Sequence, residues 1–318
     1  MCARPAWLHP RVARIEFLAG LVVALALIPG AISFSIIARV DPSVGLFASV
    51  TMAVAIAVAG GRPAMISAAT GAIALVVAPL AREHGFGYLI ATVILGGLIP
   101  IVLGALGVAK LMRFVPRSVM VGFVNTLAGL GVPTVGDRGT PPSSLPVPGL
   151  PDVPLTLDTL TLPAPYALAF ALVGLMESLM TAKLVDDITD ARSSKTRESI
   201  GQGLANIVTG LFGGMGGCAM IGQTMINVKN GARTRLSTFT AGVMLMVLCI
   251  VFGPWVSQIP TAALVAVMAL VSFGTFGRHS VAPATPRRVP AGEITSWSSP
   301  WPSWSPRTTW RSVSPPGR

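Results

Sequence analysis

Residues 60–81 read GGRPAMISAATGAIALVVAPLA. The stretch opens with Gly60, Gly61, Arg62 and Pro63, carries Ser67, Thr70 and Gly71, and only then becomes continuously apolar. Glycine and proline disfavour a helix interior. A segment that begins this way and ends as an apolar run reads as a helix that starts late. A helix from Thr70 to Arg82 would be about 20 Å long at 1.5 Å per residue. It would be too short to cross a hydrocarbon core of about 30 Å, and its irregular start would lie at membrane depth. Irregular backbone is tolerated there only inside protein or along a water-filled cavity. The alternative is an ordinary span with Pro63 in its first turn and glycines that serve close helix packing.

The rest of the chain favours lipid as the solvent. Of 318 residues, 52% are hydrophobic and 11% charged, and the mean hydropathy is +0.72. Soluble domains carry about 25% charge, so this chain lacks the polar residues to coat a globule. Apolar runs recur at about 17–37, 43–59, 63–81, 87–108, 165–185, 200–212, 236–253 and 260–276, with a short fifth run, SVMVGFVNTLAGLGV, after Arg117. Several approach the roughly 20 residues that a span requires. The first lacks a small-residue cleavage site and is read as a span, not a removed signal.

The net charge of +11 does not imply nucleic acid. With the N-terminus in the cytoplasm and sides alternating, the inner loops hold Arg4, Arg11, Arg14, Arg62, Lys110, Arg113, Arg117, Lys183, Arg192, Lys195, Arg197, Lys229, Arg233 and Arg235. The outer loops hold Arg39, Arg82 and Arg138. This is the positive-inside bias of a multi-pass protein of the inner cell membrane. It requires the fifth run and the Gly-rich segment near 214–228 to cross. Cys2, Cys218 and Cys249 form no disulfide or metal pattern, and Cys218 and Cys249 read as small packing residues.

That Gly-rich segment, GGMGGCAMIG from Gly213, repeats the logic of residues 60–71. Two helices that begin inside the membrane would present unpaired N–H groups to one another, an anion site without buried Lys or Arg. Paired broken helices of this kind mark the substrate sites of secondary transporters built from inverted repeats. GGMGG is not read as a phosphate loop, since no strand precedes it and no Lys-Ser/Thr closes it. Glu177, in LVGLMESLMTAKLV, is a carboxylate within a span, with Thr181 one turn on. Such a group costs about 2.5–3.5 kcal/mol to insert and is functional by default. Glu177 and Thr181 are candidates to bind a proton or Na⁺, or else a structural hydrogen-bonding pair. Asp186, Asp187 and Asp190 read as a solvated face. No nucleophile–His pair or metal set suggests an enzyme, and no cofactor is expected apart from Na⁺ as a coupling ion.

Six runs carry a highly specific resemblance: LIPGAISFSIIARVDPSVGLFAS, GGRPAMISAATGAIALVV, LMRFVPRSVMVGFVNTLA, ALVGLMESLMTAKLVDDITD, ESIGQGLANIVTGLFGGMGGCAMIGQTMINVKNGARTRLSTF and WVSQIPTAALVAVM. The chain resembles the SulP family of sulfate permeases and bicarbonate transporters over nearly all of residues 14–277. The resemblance implies an all-α polytopic fold, fourteen transmembrane segments in two inverted repeats of seven, with a core domain moving against a gate. It implies secondary active symport of sulfate or bicarbonate. By it, Phe34, Ser67, Ala69, Thr70 and Gly71 line one half of the substrate site, Ala219, Met220 and Ile221 line the other, and Glu177 and Thr181 fall where the coupling ion sits. Relatives often dimerise, so a homodimer is one expected assembly.

The chain departs from the family's pattern. Gly30 stands where many relatives carry Gln or Glu. Residues 1–131 match the first five spans and residues 164–277 match spans eight to twelve. Between them lies an extracytoplasmic Pro-rich linker, 132–163, at the place where the sixth and seventh spans are expected to be missing. Residues 278–318, rich in Pro, Ser, Arg and Trp, read as a disordered tail, either out-of-frame or a natural Pro-rich segment, and no soluble STAS domain is expected. The gate domain is therefore incomplete. Two rival readings follow: a non-transporting, degenerate fragment of such a transporter, and a nucleobase permease of the same architecture. ESIGQGLANIVTGLFGG argues against the second.

Overall fold

The computed structural model describes residues 10–107, 148–150, 153 and 160–256. The fifth apolar run, most of the Pro-rich linker, the run at 260–276 and the tail lie outside the described residues. All described residues belong to one unit, residues 1–274.

Eight helices and one short strand pair make up the described chain. Helix α1 is Pro10–Ile37 and α2 is Pro42–Ala59. Asp41 starts α2 by accepting the Ser43 N–H (2.9 Å), and Pro42 occupies the first turn, where its missing N–H costs nothing. Strand β1 is Ser67–Ala68, followed by α3 (Gly71–His84) and α4 (Phe86–Ala105). The second half repeats this order with α5 (Ala164–Thr189), α6 (Lys195–Leu211), β2 (Cys218–Ala219), α7 (Ile221–Lys229) and α8 (Arg235–Val256). Helices α1, α2, α4 and α5 are long and apolar enough to cross a membrane.

The helix at 200–212 begins earlier than the apolar run suggests. Ser194 caps it by accepting the Arg197 N–H (3.2 Å), so α6 gains a polar first turn. Its Glu198, Ser199, Gln202, Asn206 and Thr209 face protein. Helix α6 packs on α4 and α2, and α1 packs on α8. The α4–α6 contact depends on glycine: a β-carbon on Gly97 would stand 2.7 Å from the Gly203 carbonyl oxygen. Small residues let membrane helices approach backbone to backbone. Gly97→Val is expected to destabilise the protein by about 1–3 kcal/mol. The check is a thermal melt in detergent, and an unchanged midpoint would show that the helices slide apart without cost.

The buried carboxylate of Glu16 ties α1 to α8. It accepts the N–H groups of Arg233 (2.8 Å), Thr234 (2.9 Å) and Ser237 (3.2 Å), and so caps α8 from a neighbouring helix.

Candidate functional site

Strands β1 and β2 pair antiparallel, with Ser67 opposite Ala219 and Ala68 opposite Cys218. Each is two residues long. The pairing requires small residues. Gly217 lies so close to Ala68 that a β-carbon on it would overlap the Ala68 carbonyl. Asn206 clamps Gly217 from α6, accepting its N–H (2.9 Å) and donating to its carbonyl (3.1 Å). Ser178 on α5 accepts the Ala219 N–H (3.1 Å). Beyond the pair, Met220 N–H donates to the Ile66 carbonyl (2.9 Å), and Ile66 N–H donates to Thr224 Oγ1 (3.0 Å).

This frame places the starts of α3 and α7 together. Thr70 and Met220 are their N-cap residues, and neither side chain caps its own helix. Both helix starts therefore carry first N–H groups without an acceptor from their own N-cap side chains. Phe34 of α1 covers one of them, since a β-carbon on Gly71 would meet its Cε1 at 2.9 Å. Phe34, Thr70, Gly71, Met220 and Ile221 are thus brought to one locus. Ser67, Ala69 and Ala219 are fully buried in the frame behind it. The Ser67 hydroxyl accepts from Gln202 Nε2 (2.5 Å), and the Ala69 N–H donates to Ser49 Oγ (3.3 Å).

Glu177 and Thr181 reach the same frame from α5. Thr181 Oγ1 donates to the Glu177 backbone carbonyl (2.8 Å), with the Ala219 carbonyl at 3.4 Å. The carboxylate meets a different partner: Cys218 Sγ donates to Glu177 Oε2 (2.8 Å). The same sulfur lies 3.1 Å from Thr70 Oγ1. Cys218 is therefore not the plain packing residue expected from its apolar surroundings. It joins a carboxylate on α5 to the N-cap of α3. Cys249 does sit in an apolar core cluster.

Residues 60–63 do not line this locus. The Gly61 and Arg62 N–H groups donate to Glu198 Oε2 (2.8 and 2.9 Å), and Gln202 Nε2 bridges Glu198 Oε1 (3.1 Å) to Ser67. Arg62 pairs with Asp186 (3.1 Å), which also takes Lys195 (2.7 Å), while Asp187 pairs with Lys183. The expected solvated acidic face is corrected for Asp186, whose ion pair with Arg62 leaves about a tenth of each side chain exposed. Among the described residues no group of His, Cys, Asp and Glu is arranged to hold a metal ion. Glu198→Ala strips two part-buried N–H groups of their acceptor, at about 1 kcal/mol each. The expected result is a melting midpoint well below wild type, and an unchanged midpoint would remove Glu198 from the frame.

Sequence reasoning missed Glu198, Gln202 and Asn206. Their signal was present as polar residues at intervals of four, on one face of α6.

Comparison with known proteins adds the following. The model of the sulfate permease family matches residues 14–135 and 131–277. A putative sulfate transporter, YbaR of Bacillus subtilis (strain 168), is 49% identical over 324 residues, covering 84% of this chain and 68% of the relative. The bicarbonate transporter BicA of Picosynechococcus sp. is 23% identical, covering 82% of this chain and 61% of the relative. Among solved structures, the transmembrane domain of a cyanobacterium bicarbonate transporter BicA superposes with a TM-score of 0.75 at 20% identity, covering 87% of this chain and 93% of that one. That likeness carries the inverted-repeat transporter fold.

Proposed function

The chain belongs to the sulfate permease family, and from that membership we propose that it is a secondary active carrier of a small inorganic oxyanion, sulfate or bicarbonate. It is a membrane protein and not an enzyme. The observation that carries the reading is the strand pair that holds two helix N-termini, at Gly71 and Ile221, beside the Phe34 ring. Unpaired N–H groups and two helix dipoles favour an anion there, without the cost of burying a lysine or arginine.

In this reading Phe34, Thr70, Gly71, Met220 and Ile221 face the anion, and Ser67, Ala69 and Ala219 set the backbone that carries them. Glu177, with Thr181 behind it, binds the coupling ion, a proton or Na⁺. The N-terminus lies in the cytoplasm, as the distribution of Lys and Arg favours. Residues 10–107 and 160–256 supply the two repeats.

A second reading is a protein that binds the anion without moving it; the chain spans 68% of the length of YbaR and 61% of that of BicA. Uptake of labelled sulfate and bicarbonate into proteoliposomes, under imposed Na⁺ and proton gradients, separates the two. Saturable, gradient-driven uptake supports transport. Binding without uptake supports the second reading, and neither binding nor uptake overturns both.

A further inference from the structure

Gln223 is the third residue of α7 and only 2% exposed, yet its side chain makes no hydrogen bond to any described residue. The other buried amides of the frame donate to protein: Gln202 to Ser67 and Glu198, Asn206 to Gly217, Asn227 to the Ala64 carbonyl, with Gln202 Oε1 and Asn227 Oδ1 left without a partner. An unpaired amide is costly in a buried site, and more so where the surroundings are hydrocarbon. Such a group calls for a partner that the protein itself does not provide.

Its position indicates the partner. A β-carbon on Gly30 of α1 would stand 3.8 Å from Gln223 Nε2, 3.7 Å from Phe34 Cε2 and 3.9 Å from Met220 Cε. Phe34 also covers Gly71, the first residue of α3. The amide nitrogen therefore stands among α1 and the starts of α3 and α7, beside Phe34 and Met220. A β-carbon at position 30 would be in van der Waals contact with all three side chains.

We propose that Gln223 is a direct ligand of the transported oxyanion, donating its Nε2–H to an anion oxygen over Gly30. An amide supplies donors without adding charge, and its carbonyl can accept from an anion that carries a hydroxyl. This inference rests on the anion-carrier reading above.

The test uses the full chain in lipid nanodiscs, with sulfate and bicarbonate added separately as probes. Affinity and the melting midpoint without anion are both read. Gln223→Leu should melt no lower than wild type without anion, because no protein bond is lost, while affinity for the probe that binds falls by about 10-fold or more. Adding Gly30→Asn should recover part of the affinity by returning an amide from the other side. If Gln223→Leu does not fold, Gln223→Met, close in volume and shape, takes its place. Wild-type affinity in the folded variant overturns the proposal. So does a lower anion-free midpoint with unchanged affinity, which makes Gln223 a fold residue. If wild type binds neither probe, the carrier reading fails first and the inference falls with it.

Discussion

Gly217→Ala should weaken anion binding by up to about 100-fold while Gly174→Ala leaves it intact. Both glycines lie beside β2. A β-carbon on Gly174 would meet Ile73 Cδ1 at 3.5 Å and Cys218 Cβ at 3.6 Å, ordinary contacts. On Gly217 the same atom would overlap the Ala68 carbonyl, and that carbonyl belongs to backbone that cannot rotate aside. The strands must separate, and with them Thr70 and Met220, the residues from which α3 and α7 begin. Overpacking of a tight contact costs about 1–3 kcal/mol. Spent on misplacing the two helix ends, the upper figure is about 100-fold in affinity. The helices contribute most of the apolar surface and do not need this pair to insert, so Gly217→Ala should still reach the membrane. The measurement is anion binding by both variants in detergent. Wild-type affinity in Gly217→Ala would mean that the strand pair does not position the site.

The two glycine-led breaks at 60–71 and 213–222 were legible in sequence for a physical reason. Lipid punishes irregular backbone so heavily that glycine clusters inside apolar sequence have few readings. Phe34 and the starts of α3 and α7 followed from the breaks and the family resemblance together. The strand pair was not legible, because two residues have no period and Ser67–Ala68 and Cys218–Ala219 carry no β-branched side chain. Nor was the role of Gly60–Pro63 visible. Which N–H groups Glu198 would accept depends on how α6 lies against a loop 136 or 137 residues away in sequence. The bond from Cys218 to Glu177 is hidden by the same kind of separation, since a cysteine among apolar residues looks like packing until its neighbour across 41 residues is known.

That bond leads to the other large effect. Glu177→Gln keeps the size of the side chain and an acceptor for the Cys218 thiol, but it can neither carry a charge nor release a proton. Gradient-driven accumulation of the anion should fall by more than about 10-fold, while equilibrium anion binding changes by less than about 3-fold. A hydrogen bond to a charged group contributes about 1.5–3 kcal/mol net, which covers a change of this size at about 1.4 kcal/mol per decade. Cys218 then separates ion binding from its transmission. Its sulfur touches both Glu177 Oε2 and Thr70 Oγ1, so under the proposed coupling it links the carboxylate to the N-cap of α3. Cys218→Ser retains a hydroxyl bridge and should retain coupling. Cys218→Val keeps a similar volume without a donor and should lose coupling as Glu177→Gln does, with anion affinity preserved. Uptake is to be measured across a range of external pH and Na⁺. If Glu177→Gln shows the wild-type dependence on both, the carboxylate does not bind the coupling ion. If only Cys218→Val shows it, the carboxylate binds the ion but communicates with the anion through the backbone of β2, where Thr181 already reaches the Ala219 carbonyl.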